Sequence, residues 1–458
     1  MFVFALAAFA AGNALLWPVS GLAQSQRGGP RIEMIRDAEI EHYLRSLANP
    51  VFRAAAIDPD SVSIYIINSS AVNAFVAGGM NMFFYTGLLQ MTDTPEQLAG
   101  VIAHETGHIA GGHLIRGRDA MADASTQAIL GMLFGAAIGV ASGNSQAAMG
   151  AISGSQQIAQ RMMLSFSRTQ ESSADAAALS YLDRAGITAR GMEEFMKKLG
   201  AQDIVPIDRQ VEYVRTHPLS QDRIDAVSHH VEKSNSADKY LDRKFAVMHE
   251  RMKAKLNGFL QPETALLRYT DKDSRLPARY ARAIALYRTN QLPRALALAD
   301  SLIREEPENP FFHELKAQML FENGKIEEAA ALYGKAAELQ PDSALLRLAY
   351  GHALLESKNP GALDKAIQNL TEANRISPHD PETWRLLASA WGRKGELSKD
   401  PLYSGYASYA LAEEAAARGA DREARQYADR ALKALPKSSP YWLRAQDIKI
   451  SMDKSDNR

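Results

Sequence analysis

Five consecutive residues, His104-Glu105-Thr106-Gly107-His108, place two imidazoles and a carboxylate within about one turn of helix. Positions four apart share a helical face, so His104 and His108 can aim ring nitrogens at one cation while Glu105 stands beside it. The chemistry implied is metal-assisted peptide hydrolysis, with two zinc ligands and a general base. The element that must carry them starts at Thr94-Pro95-Glu96-Gln97, with Thr94 as cap, Pro95 at the first helical position and Gln97 placed to close a capping box. Leu98, Val101, Ile102, Ile109 and Ala110 follow at helical spacing, so both histidines fall inside an apolar helix that should be buried. Buried polar side chains need partners, which disfavours two idle surface histidines.

A catalytic zinc takes three protein ligands and keeps a fourth position for water. The chain has no cysteine, which leaves His, Asp or Glu for the third. His113 is tempting, but the pattern His-Glu-x-x-His-x-x-Gly-x-x-His needs histidine at 114, and that residue is Leu114. If the helix continues, His113 points to the opposite side and is structural. Glu171-Ser172-Ser173-Ala174-Asp175 offers more, within a helical pattern that stops at Ala185-Gly186. Glu171 and Asp175 share a face, so one carboxylate can bind zinc while the other orients a ligand histidine. Small residues between them favour close packing on another helix.

These paired motifs resemble the gluzincin class of zinc peptidases, and more narrowly the family of CAAX prenyl endopeptidases and HtpX. Asn73-Ala74-Phe75 before Gly78-Gly79, Tyr85-Thr86-Gly87-Leu88-Leu89, and Thr216-His217-Pro218-Leu219 with Arg223 fit that family. The resemblance covers residues 30 to 230. It implies a metal site of His104, His108 and Glu171 with one zinc per chain, Glu105 as catalytic base, and Asp175 orienting a histidine. It also implies that Asn73, Ala74 and Phe75 form the sheet edge on which substrate is added as a strand; an ordinary core strand fits them equally. His217 precedes Pro218 in a polar stretch, hence on a loop or helix end. Three roles fit it: a fourth zinc ligand that keeps the enzyme latent, a hydrogen-bond donor to the oxyanion, or a surface histidine.

The expected fold is mainly α: a helical zincin-type domain with a small β-sheet at 30–260, then an α-solenoid at 276–452. Val62–Ile67, Val72–Val76 and Met82–Tyr85 are β-branched or aromatic runs, with Gly78-Gly79 as a turn. Beyond residue 275, Arg294-Ala295-Leu296, Glu328-Ala329-Ala330 and Lys365-Ala366-Ile367 recur at steps of 34 and 37, as do Pro307, Pro341 and Pro378. That period, with proline after the second helix, is the tetratricopeptide signature. Pro360-Gly361 accounts for the longer step, a degenerate unit surrounds Glu423-Ala424-Arg425, and Tyr441–Met452 is a capping helix. With the repeats included, the whole chain is similar to the group of periplasmic beta-barrel assembly-enhancing proteases. That likeness implies protein or peptide substrates, namely outer-membrane proteins, and their assembly machinery as partners. The alternative is a chaperone or assembly adaptor in which proteolysis is secondary.

Met1 through Leu22 carry no charge, and Gly21-Leu22-Ala23 fits a signal-peptide cleavage site, giving a signal at 1–23 and a periplasmic location. The usual basic start is missing, with no Lys or Arg before Arg27, and an N-terminal membrane anchor is the competing reading. Residues 128–140 are apolar but too short and glycine-rich for a confident span, and suit a lid or a patch that meets membrane or client. Residues 143–157 read as a loop. Lys plus Arg number 52 against 53 Asp plus Glu, a net charge of -1 that gives no footprint for nucleic acid.

Overall fold

In the computed structural model, residues 33–77, 80–113, 168–200, 212–359 and 361–455 are described. The expected signal at 1–23, the expected turn at Gly78-Gly79, the apolar run 128–140, the expected loop at 143–157 and Pro360 lie outside them. The chain divides into two compact units, Met1–Lys253 and Ala254–Arg458.

In the first unit, β1 (Met34–Ile35), β2 (Ser63–Ile67), β3 (Ala74–Ala77) and β4 (Asn81–Tyr85) form one sheet in the order β1-β2-β4-β3. β2 and β4 are parallel, while β1 and β3 pair antiparallel with β2 and β4. The three strand-like runs of the sequence thus lie in one sheet, with β3 at its edge. Alternation is clean in β4, where Met82 and Phe84 are buried and Phe83 turns to the other face, stacked between Tyr65 and Phe75.

Helix α1 (Ala38–Ala54) is capped by Asp37, which accepts from the Ile40 N–H at 2.9 Å, and it packs Tyr43, Leu44, Leu47, Val51 and Phe52 inward. After α2 (Thr86–Met91), the motif helix α3 spans Pro95–Ala110, and every residue from Pro95 to His108 is buried. Thr94 caps it as expected, accepting from the Gln97 N–H at 3.3 Å. The return bond differs: the Gln97 side chain accepts from the Asp93 N–H at 2.8 Å, one residue before the cap. Residues 168–185 form α4, followed by α5 (Arg190–Gly200), α6 (Glu212–Thr216), α7 (Gln221–Lys233) and α8 (Arg243–Leu260).

The second unit is a run of helices. Leu276–Arg288 pairs with Leu292–Glu305, Pro310–Glu322 with Ile326–Leu339, and Ala344–Glu356 with Ala362–Ile376, before Pro381–Ser398, Pro401–Ala417, Asp421–Ala434 and Pro440–Ser455. The recurring alanines Ala295, Ala329 and Ala366 sit in the second helix of each pair and are fully buried, since only a small side chain lets the helices approach. Among the described residues no helix is long and apolar enough to cross a membrane.

Candidate metal centre and active site

Gly107 lets two helices meet. A Cβ on it would lie 2.7 Å from the Ala174 carbonyl oxygen and 2.9 Å from the Ala174 Cα, so α3 and α4 touch backbone to backbone there. Ala174 is buried in that contact, whereas Ser172 and Ser173 face outward. The close crossing sets His104 and His108 opposite Glu171 and Asp175, as the four-residue spacings of both motifs require.

His104, His108, Glu171 and His217 offer ligand atoms that all lie within 4.8 Å of one another, and all four residues are buried. His104 Nε2 is 3.1 Å from His108 Nε2, 3.3 Å from Glu171 Oε2 and 3.4 Å from His217 Nδ1. Glu171 Oε1 is 3.4 Å from His108 Nε2 and 3.3 Å from His217 Nδ1. A tetrahedral ion with ~2.0–2.1 Å bonds requires ligand atoms about 3.3 Å apart; His104 Nε2 stands near that spacing from an atom of each of the other three residues, so the donors fit a metal ion in type and in closeness. Glu105 adds a second mark. It is fully buried, and neither of its carboxylate oxygens has a hydrogen-bond partner among the described residues; His217 Nε2 stands 3.6 Å away. Leaving a buried carboxylate unpaired is costly, and such a group marks a place built for chemistry.

Asp175 reaches His104 Nδ1 at 2.9 Å, which leaves Nε2 as the nitrogen aimed into the cluster. Arg223, on α7, grips Asp175 with two bonds, Nε to Oδ2 at 2.6 Å and Nη2 to Oδ1 at 2.9 Å. Its Nη1 lies 3.1 Å from Glu171 Oε2 and donates to the Pro218 carbonyl at 2.7 Å, beside His217. Burial alone would discharge His104, but hydrogen bonds to Asp175 and Glu171 outweigh it and lift the ring to about 10. Burial pulls His108 down to about 4, against the pull of Glu171. Glu171 stays well below the usual carboxylate range: burial raises it, but bonds from His104, His108 and His217 prevail. Asp175 is lowered as well, the Arg223 guanidinium overcoming burial. Glu105 is raised by burial, partly offset by His217 and His104. A cation bound there would keep Glu171 charged and take the Nε2 lone pairs of both rings, so the proton that the two carboxylates hold on His104 would leave as the ion binds.

His217 follows α6 and is buried, with its ring tilted against Tyr213 at 4.6 Å between centroids. Its Nε2 lies 3.3 Å from the Ala74 carbonyl on β3. Asn73 holds the same segment: its amide donates to Glu212 Oε1 at 3.0 Å, and the Tyr213 N–H donates to the Val72 carbonyl at 2.8 Å.

Residues 35–231 match the family described as Peptidase family M48, and residues 280–344 and 315–381 match Tetratricopeptide repeat. The N-terminal unit carries a peptidase family M48 domain. The chain is accordingly a metalloendopeptidase followed by tetratricopeptide repeats. It is similar to the beta-barrel assembly-enhancing protease of Yersinia pestis, 28% identical over 370 residues that cover 79% of this chain and 74% of that protein. The protein of the same name in Escherichia coli (strain K12) is 26% identical over 364 residues, 78% of this chain and 73% of the relative. Metalloprotease LoiP of Escherichia coli (strain K12) is 28% identical over 205 residues, covering 44% of this chain and 73% of its own length.

Within the M48 domain, the cluster gathers His104, Glu105, His108, Glu171, Asp175 and His217, and Ala74 borders it through its carbonyl. The Phe75 ring is stacked on Phe83 at 4.9 Å. Two participants carry little signal in the sequence. Arg223 stands 48 positions from the aspartate it grips, and no local spacing announces that pair. His113 does not point away from the site: α3 ends at Ala110, and the ring turns back to His108.

Proposed function

We propose that this chain is a zinc-dependent endopeptidase of the cell envelope that acts on misfolded or stalled outer-membrane proteins, with its repeats binding clients or assembly machinery. The observation that carries the reading is a set of metal-type donors within 4.8 Å of one another with an unpartnered carboxylate, Glu105, beside them. His104 and His108 through Nε2 and Glu171 through its carboxylate would hold the ion, with Asp175 fixing the ring of His104. When bound, zinc polarises a carbonyl and brings a water's pKa toward ~7. Glu105 accepts the proton of the attacking water on a carboxylate oxygen and returns it to the leaving amine. β3 is the edge on which substrate lies as an added strand, with Asn73, Ala74 and Phe75 at its start.

His217 holds the fourth position through Nδ1, keeping the enzyme latent until it moves. The client class is supported by the names of the Yersinia and Escherichia relatives, and the periplasm by the charge-free segment at the start of the chain. Contact of residues 128–140 with a membrane belongs to the same proposal. The repeats also favour a second role as chaperone or assembly adaptor, which survives loss of proteolysis.

The Glu105→Gln variant tests the core of this reading. It retains one zinc per chain by elemental analysis and loses casein cleavage; cleavage at the wild-type rate ends the proposal. Rescue of barrel assembly in cells by the same variant separates the adaptor role from the peptidase role.

A further inference from the structure

His113 closes the far side of the cluster. Gly111 and Gly112 end α3, their N–H groups bonding to Gly107 and Ile109 carbonyls at 2.9 and 3.0 Å. Gly112 adopts a φ of +59, the left-handed region that glycine enters freely, and this turns the chain back on the helix end. The imidazole of His113 then lies against Gly111: a Cβ there would stand 2.4 Å from His113 Nε2, so a side chain at 111 would evict the ring. From α4, the Gln170 amide donates to the His113 carbonyl at 3.1 Å, one residue before Glu171. So held, His113 meets His108 edge to face, with Nδ1 2.9 Å from Nδ1 and both rings buried.

Two facing Nδ1 atoms share one proton, and the cluster decides where it sits. His108 Nε2 is the atom turned toward His104 and Glu171, so its lone pair belongs to the cation and its proton must be on Nδ1. His113 Nδ1 is then the acceptor, and His113 carries its own proton on Nε2. We propose that His113 is a positioning residue that fixes the ring plane and tautomer of His108, as Asp175 does for His104. The inference rests on His108 being a metal ligand. It also distinguishes the two ligands: His104 is backed by a carboxylate, whereas His108 is backed by a neutral imidazole and gains less basicity.

Zinc affinity, measured by competition with a chromogenic chelator on the full-length Glu105→Gln protein, provides the test. His113→Phe keeps the ring's bulk and lacks the acceptor, and it weakens zinc binding 10- to 100-fold at unchanged stoichiometry. His113→Gln restores an acceptor oxygen and recovers part of the loss, while Gly111→Ala reproduces it by displacing the ring. His113→Phe binding zinc within about twofold of the parent reduces His113 to packing and overturns the inference. His108→Ala tests the underlying assignment separately, since retention of tight zinc there removes His108 from the ligand set. Should His113→Phe fail to fold, ¹⁵N histidine spectra of the zinc-loaded parent decide: Nδ1 protonated on His108 and bare on His113 supports the assignment, and the reverse overturns it.

Discussion

His217 joins the ligand cluster to the substrate edge in one ring. Nδ1 faces His104 and Glu171, while Nε2 faces the Ala74 carbonyl. Burial removes the surface-histidine reading and leaves latency against oxyanion support. His217→Ala frees both a ligand position and a strand carbonyl, so latency predicts faster casein cleavage at equal zinc content. A fall of roughly 10²-fold in turnover would instead make the ring an oxyanion donor. At this scale the sequence is most legible where chemistry follows spacing: His104 and His108, and Glu171 and Asp175, stand at four-residue steps, with Glu105 beside the first histidine. It is least legible where a turn or a long-range clamp sets the contact. Continuing the helix through Gly111-Gly112 sends His113 to the wrong side, and Arg223 is marked only by the family resemblance, which attaches no role to it.

β3 is legible as an apolar run, but its place at the edge emerges only from the order β1-β2-β4-β3. The Tyr85 N–H donates to the Asn73 carbonyl at 3.0 Å, which fixes the alternation of the antiparallel ladder. With Phe75 opposite Phe83 and Ala77 opposite Asn81, the amide groups of Ala74 and Val76 turn to the open edge. Proline is tolerated on an edge strand where the N–H it deletes faces outward. If substrate pairs along β3, Val76→Pro keeps the fold and zinc but removes one main-chain donor. A net hydrogen bond of ~0.5–1.5 kcal/mol makes that a loss of about 3- to 10-fold in kcat/KM on an extended peptide. Unchanged kcat/KM in a folded, zinc-replete Val76→Pro protein would mean that β3 is not the docking edge. The crossing of α3 and α4 was half legible: the small residues promised close packing, yet Ala174 alone of the three supplies it, because Ser172 and Ser173 lie on the outer face.

Across the whole chain the repeats were the most readable part, since a period survives divergence that erases individual contacts. What the period hides is how each repeat is closed. The carbonyls of Pro307, Pro341 and Pro378 each accept a bond from the side chain six residues on, at 2.7 to 2.8 Å, but the donors are His313, Arg347 and Trp384. Three unrelated residue types do one job, so no identity pattern reveals it. In the first unit His249, a histidine outside the metal cluster, contributes to the response to acid. His249 lies buried with Nε2 donating to the Thr92 carbonyl at 3.0 Å and Nδ1 2.8 Å from the Tyr43 hydroxyl, an arrangement that uses the neutral ring. Burial is the main cause that lowers it to about 4; Lys253 acts in the same sense, against Thr92 and Asp93. A histidine depressed from 6.5 binds a proton in the unfolded chain before the folded one, so its stabilisation is complete above about pH 6.5 and is lost as pH falls toward 4. The full shift is worth about 3 kcal/mol. Thermal melts of the zinc-loaded protein should therefore drop between pH 7 and pH 5, and His249→Phe, although less stable at pH 7, should drop less. Parallel pH slopes for the two proteins would assign the acid sensitivity to other groups.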